Sequence, residues 1–228
     1  MQLKLLLSKH IFQFNYPIMQ QKIIYSLVLL IFCGIFYNFW RTEWKYLVPT
    51  PIPNAYIPVA IDTEIHLDSA IFKNTKPKFL HFFSPDCPCS KFTIAHFRYL
   101  VETYKKDVDF YAILFAEDTV NVGKEFAEAY KISIPLILVN HDKIATQCGV
   151  YSTPQVAIIT KDKKLFFRGN YNKSRYCTNK NTNFAEIALQ NLLNNKKAPN
   201  FGEQASQSYG CALPENYYDT LTLNSNYP

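Results

Sequence analysis

Phe82 to Phe92 reads FFSPDCPCSKF, two cysteines separated by a single proline. Thiols this close can open and close a disulfide, hold a soft metal ion or form a static staple. After them, Phe92, Ala95, His96, Tyr99 and Leu100 fall at helical spacing, and Pro88 suits the first turn, where its missing N–H costs nothing. Cys87 therefore stands at the positive end of a helix, whose unsatisfied N–H groups favour the thiolate. The thiolate is the species that attacks a disulfide. Asp86 sets a negative charge next door and tempers that activation. Cys89 is placed to attack a mixed disulfide on Cys87 and release the partner. Closing a bond from i to i+2 across a proline with fixed φ strains it. Strain makes such a couple more oxidising, so an oxidant or isomerase is expected rather than a strong reductant.

The six cysteines, Cys33, Cys87, Cys89, Cys148, Cys177 and Cys211, are too sparse for a disulfide-stapled miniprotein. Cys33 belongs to an apolar run and Cys148 to an apolar stretch, where a buried thiol is expected. Cys177 and Cys211 either bridge the exit of a hairpin to the C-terminal segment or remain separate. A bridge would add roughly 4 kcal/mol in the chain-entropy account and would mark an oxidising compartment. His81 is either a proton acceptor for Cys89 or a core histidine with one satisfied hydrogen bond. Both readings stay open.

Elements must position these groups. Lys78 to Ser84, KFLHFFS, is a buried strand before the cysteines, and Val108 to Phe115 is a second. Val122, Phe126, Ala127 and Tyr130 mark a second helix, and PLILV, 135–139, a further strand. A short helical stretch follows near Lys143 to Cys148. GVYSTPQVAIIT then turns at Thr153-Pro154 into a strand that pairs with KLFFRG across Lys161-Asp162-Lys163. Phe184, Ile187, Ala188 and Leu192 stripe a last helix. Alternating strands and helices, then a closing hairpin and helix, give an α/β sandwich around a small mixed sheet.

At 228 residues and 48% hydrophobic composition, the chain can bury such a core without help from disulfides or metals. Its net charge of +6 is scattered and accompanied by no nucleic-acid motif, so no nucleic-acid partner is expected. Ile23 to Trp40 carries no charge, long enough to cross most of a bilayer core of roughly 30 Å. No small-x-small pair follows it, which favours an uncleaved anchor over a cleaved signal peptide. Lysines before the run weakly favour an inside N-terminus, a bias that vanishes if synthesis starts at Met19. YLVPTPIPNAYIP, 46–58, has four prolines and no charge, as in a semi-rigid spacer. The expected organisation is a short segment 1–21, an anchor 22–41, a spacer 42–58, the domain 59–197 and a tail or wrapping segment 198–228.

The motifs FFSPDCPCSKF and CGVYSTPQVAII, with FRGNY and a C-terminal YGCALP, resemble the thioredoxin fold in its periplasmic redoxin branch, the TlpA-like or AhpC/TSA-like proteins. The likeness spans roughly residues 60 to 213. It implies a thioredoxin-like sandwich, which the apolar run read above precedes as one transmembrane helix. It also implies Cys87 as the attacking cysteine and a cis Pro154 that, with Thr153, faces the motif and docks the substrate backbone. The motif is Cys-x-Cys rather than Cys-x-x-Cys, and His81 stands where many thioredoxins carry a buried acid.

The leading expectation is a single-pass thiol–disulfide oxidoreductase of the cytoplasmic membrane. Its domain would face the periplasm or cell exterior, act on cysteines of exported proteins and be reset by a membrane electron carrier, with no cofactor and no metal. Two alternatives remain. A copper metallochaperone would use Cys87, Cys89 and a histidine such as His81 or His141. A peroxiredoxin-like peroxidase would use Ser84, three residues before Cys87, although Leu80 stands where a proline is expected.

Overall fold

A computed structural model describes residues 18–44, 48–67, 71, 74–116, 119–131, 133–137 and 141–213. The chain divides into two compact units, Met1–Lys45 and Tyr46–Pro228. The first is helix α1, Ile18–Glu43, 26 largely apolar residues, none of them buried. At 1.5 Å per residue it rises about 39 Å, more than the roughly 30 Å of a bilayer core. It is long and apolar enough to cross a membrane, a test that a signal sequence also passes. Near its C-terminal end Trp40 stacks on Trp44, ring centroids 4.3 Å apart.

The second unit is built on a five-stranded sheet. Strands β1 (Lys78–Phe83), β2 (Asp109–Leu114) and β3 (Leu136–Ile137) run parallel, while β5 (Gln155–Ile159) and β6 (Leu165–Gly169) run antiparallel to β1 and to each other. Their order is β3-β2-β1-β5-β6. Helices α2 (Pro88–Tyr104) and α3 (Thr119–Tyr130) supply the parallel crossovers. Helix α4 (His141–Cys148) leads to the two-residue strand β4 (Ser152–Thr153), and α5 (Phe184–Leu193) follows the hairpin. The short helix α6 (Glu203–Ser206) and strand β7 (Cys211–Ala212) complete the chain's described course. This is the thioredoxin-like α/β sandwich that the sequence leads one to expect.

Strand β1 is central and covered on both faces, which is why KFLHFF reads as an unbroken apolar run apart from its two polar residues. On one face Phe79 and Phe83 pack with Phe97, Leu100 and Val101 of α2 and Phe184, Ala188 and Leu189 of α5. On the other, Leu80 and Phe82 pack with Ile144, Ala145 and Cys148 of α4, and with Tyr151 and Leu213. Lys78 opens the strand with a wholly buried side chain. Its Nζ donates to Asp109 Oδ2 at 2.7 Å and to Asn74 Oδ1, so the buried cation is paired.

One expectation about the chain's ends needs correction, and one open alternative is decided as far as Leu213. The proline-rich stretch is not a free spacer, because Thr50 is buried and bonded to the C-terminal segment, and Tyr56 donates its hydroxyl to Gly149 O at 2.9 Å. Arg168 binds both Tyr56 and that same carbonyl, at 2.7 Å to the latter. The compact unit thus begins before Val59. The C-terminal segment wraps the domain as far as Leu213, where Asn170 holds Gln204 O and Gln207 O at 3.2 and 2.6 Å. Residues 1–17 of the expected N-terminal segment and 214–228 of the expected tail lie outside the described residues.

Candidate active site

Cys87 caps α2 with extended backbone (φ −88°, ψ 113°), followed by Pro88 at the first helical position. Its carbonyl accepts from Ser90 N at 3.0 Å and its N–H donates to Ser84 O at 3.2 Å, which closes the turn that brings the thiol to the helix end. The Ser90 hydroxyl accepts from Ser84 N at 3.3 Å, tying the end of β1 to the first turn of α2. Ser84 is thus engaged through its backbone in shaping this turn. Cys87 and Cys89 are both buried, while Asp86 and Pro88 are exposed.

Thr153-Pro154 is a cis peptide bond facing this turn, as expected from the resemblance. Cys87 Sγ lies 3.3 Å from Thr153 O. As a thiol, Cys87 can donate to that carbonyl; in a disulfide it has no proton to give.

The sulfur is in a disulfide. Cys87 is bonded to Cys211, with Cα atoms 5.8 Å apart and a sequence separation of 124. This differs from both pairings considered from sequence. Cys89 is not the partner of Cys87 here, and Cys177 is not the partner of Cys211. The reason is strand register: β7 runs antiparallel to β4 with Cys211 opposite Thr153 and Ala212 opposite Ser152. Cys211 is thereby delivered to the end of α2. Cys177 is held elsewhere, in a loop organised by Asn172, whose Nδ2 donates to Asn179 O and Asn183 Oδ1 at 2.7 and 2.6 Å. Burial pushes the Cys177 and Cys148 thiols up to about 12, although Arg168 opposes it at Cys148. Neither is suited to nucleophilic attack.

Gly210 makes this approach of β7 possible. A Cβ there would sit 2.1 Å from Thr153 O and 3.4 Å from Pro154 Cδ. From the other side Thr50 clasps the segment: its N–H donates to Ser208 O at 2.8 Å, its hydroxyl donates to Gly210 O at 3.1 Å and accepts from Gly210 N at 3.0 Å. Sequence reasoning missed Cys211 as the partner of Cys87, and Gly210 and Thr50 altogether. The only local signal was the dipeptide Gly210-Cys211.

His81 sits on the face of β1 that packs against α2, its ring stacked on Phe97 with centroids 4.2 Å apart. Its Nδ1 and the Tyr171 hydroxyl are 2.7 Å apart, while Nε2 has no hydrogen-bond partner among the described residues. Burial pushes its pKa down to about 3, so the ring is neutral. This matches the core histidine with one satisfied bond. The unpartnered Nε2 leaves the proton-acceptor role as a proposal. Among the described residues no group of three or more His, Cys, Asp and Glu side chains is arranged to hold a metal ion. Of the copper ligands considered, the His141 side chain lies outside the described residues.

The profile of a family described as a domain of unknown function, DUF6436, matches residues 59–213, more than half of the chain. The chain belongs to this family. No curated protein matches this DUF6436 member. Among solved structures it is similar to a hypothetical protein of Sinorhizobium meliloti 1021, at 17% identity and TM-score 0.55, over 69% of this chain and 95% of that one. An uncharacterised conserved protein of Geobacillus kaustophilus is similar at 23% identity and TM-score 0.55, over 73% and 97%. A thioredoxin-like protein in its oxidised form aligns over 65% and 98%, at 16% identity and TM-score 0.45. The first two likenesses bear on the fold of the DUF6436 chain and not on its chemistry.

Proposed function

We propose that the chain is a membrane-anchored thiol–disulfide oxidoreductase of the periplasmic redoxin type, acting outside the cytoplasm on cysteines of exported proteins. One observation carries this reading: the cysteine at the N-terminus of α2, beside the cis Thr153-Pro154 bond, is engaged in a disulfide with a distant segment of its own chain. A disulfide closed between a helix-capping cysteine and a strand is chemistry of exchange placed where a departing thiolate is stabilised by helix N–H groups.

In the reaction, the Cys87 thiolate attacks one sulfur of a client disulfide. A mixed disulfide forms, and the client's other sulfur leaves as a thiolate and takes a proton. A second thiolate of this chain, Cys89 or Cys211, then attacks Cys87 Sγ and expels the remaining client sulfur. The client disulfide is reduced and this chain is oxidised; the reverse order oxidises a client dithiol. A membrane electron carrier resets the pair. The strain argument for an oxidant applied to Cys87–Cys89 and does not extend to a bond that spans 124 residues of sequence.

The test is a redox titration of the full-length protein in detergent against glutathione, with mass spectrometry of trapped disulfides. The expected outcome is reversible oxidation that places Cys87 in every exchanging pair and disappears in Cys87→Ala. If Cys87 enters no disulfide at any poise, exchange is the wrong chemistry.

A further inference from the structure

Cys87 is only 1% exposed, and the chain segment bonded to it is Tyr209–Leu213. One flank of its sulfur is the Thr153 carbonyl at 3.3 Å, and behind it stands α2. A cysteine of another molecule that reaches this sulfur must arrive along the path Cys211 takes.

That path is demanding. The backbone must be extended and antiparallel to Ser152–Thr153, with the reacting cysteine opposite Thr153. The residue before the cysteine passes so close to Thr153 that even a Cβ would overlap the carbonyl oxygen, at 2.1 Å. Two residues after the cysteine, Leu213 is buried against the second core cluster and its N–H donates to Tyr151 O at 3.1 Å. Between them Ala212 pairs with Ser152 but is exposed, so its side chain meets no steric demand.

The segment also shows signs of being detachable. Upstream, Asn170 fixes the chain at Gln204 and Gln207. Thr50 clasps the segment at Ser208 and Gly210, yet at its contact with β4 the buried hydroxyls of Ser208, Ser152 and Thr153 have no hydrogen-bond partner among the described residues. A permanent interface satisfies its buried polar groups; one that opens returns them to water.

We propose that Tyr209–Leu213 is a resident client, and that it defines the substrate class of the oxidoreductase on whose reading this inference rests. That class is extended segments of the form Gly-Cys-x-apolar, docked on the β4 edge. In the closed state the chain's own Gly210-Cys211-Ala212-Leu213 holds this edge. Reduction of Cys87–Cys211 by an incoming dithiol breaks the bond, oxidises the dithiol and frees the edge.

The test uses the full-length protein in detergent with the substitutions Gly210→Glu and Cys211→Ser, which together displace the resident strand. The probes are peptides Tyr-Gly-Cys-Ala-Leu and Tyr-Ala-Cys-Ala-Leu, each with its cysteine activated as a pyridyl disulfide. Attack by the Cys87 thiolate forms the mixed disulfide and releases pyridine-2-thiolate, which is read by absorbance; the rate counted is the part lost in Cys87→Ala. Should the double variant not fold, Cys211→Ser alone serves, since its strand competes with both peptides alike. The glycine peptide is expected to react at least about tenfold faster, the scale of effect that forced overpacking produces. A smaller ratio overturns the proposal. Oxidised glutathione in the same assay separates the two levels. If it reacts with Cys87 while the peptides are not discriminated, only the substrate class falls. If neither it nor either peptide reacts, the oxidoreductase reading fails and takes this proposal with it.

Discussion

At the scale of single residues, the two buried ionisable groups of β1 are held in opposite ways, and both affect stability. His81 has its pKa pushed down to about 3 by burial, against about 6.5 in an unfolded chain. Between those values the unfolded chain takes up a proton that the folded chain refuses. The stability is therefore full above about pH 6.5 and falls by about 1.4 kcal/mol per pH unit as the pH drops below it. Denaturant melts from pH 7 to pH 4 should show this slope. In His81→Phe the slope should be shallower by this amount, with a smaller contribution left from His96, which burial also lowers although Glu186 opposes it. An unchanged slope would mean that His81 is not buried as described. Lys78 is instead held in an ion pair with Asp109, Nζ to Oδ2 2.7 Å. Burial pushes the Asp109 carboxyl up, but bonds from Lys78 and Asn74 outweigh it and hold it below its ordinary value. Asp109→Asn leaves the buried ammonium without its counter-charge and should cost about 3 kcal/mol, read from denaturant unfolding at pH 7. Asp109 is about one-fifth exposed on its side chain, so the low end of the expected range applies.

At the scale of elements, β7 is held by contacts on both of its flanks, and each can be removed separately. Gly210→Ala sets a methyl carbon against Thr153 O. In equilibrium with glutathione, the Cys87–Cys211 bond should become at least about tenfold easier to reduce, and Cys87 should become accessible to alkylation. Thr50→Val removes the hydroxyl that both donates to and accepts from Gly210. Its effect should be in the same direction and smaller, about 1 kcal/mol. A bond equally stable in both variants would show that β7 does not depend on this close packing. These elements also mark what the sequence could tell. Cys87 at a helix start, the strand before it and the turn at Thr153-Pro154 were legible because each rests on local pattern: an apolar run, a proline at a first turn, helical spacing. The partner of Cys87 was not, because register between two-residue strands leaves almost no periodic trace and six cysteines allow many pairings. The state of His81 turned on Tyr171, ninety positions away in sequence, and the fate of Thr50 on a segment farther still.

At the scale of the whole molecule, the bond between Cys87 and Cys211 closes a loop that contains most of the sheet. In the chain-entropy account such a closure stabilises by about 5 kcal/mol. Unfolding with and without reductant should differ by this order, and identical curves would show that the bond is not formed in solution. The α/β order was legible at this scale because the strands and helices alternate in sequence. The docking of the proline-rich segment was not, and the C-terminal segment was legible only as tail or wrap, since polar and proline-rich segments announce no destination. The β4 edge has a further consequence. An open strand edge invites pairing with another chain. When Cys87–Cys211 is reduced, the β7 of one molecule can settle on the β4 edge of a neighbour in the same register. Reoxidation at high protein concentration would then lock exchanged dimers, whereas dilute reoxidation returns monomers. The residues that guard the edge in one molecule are thus the residues that would link two.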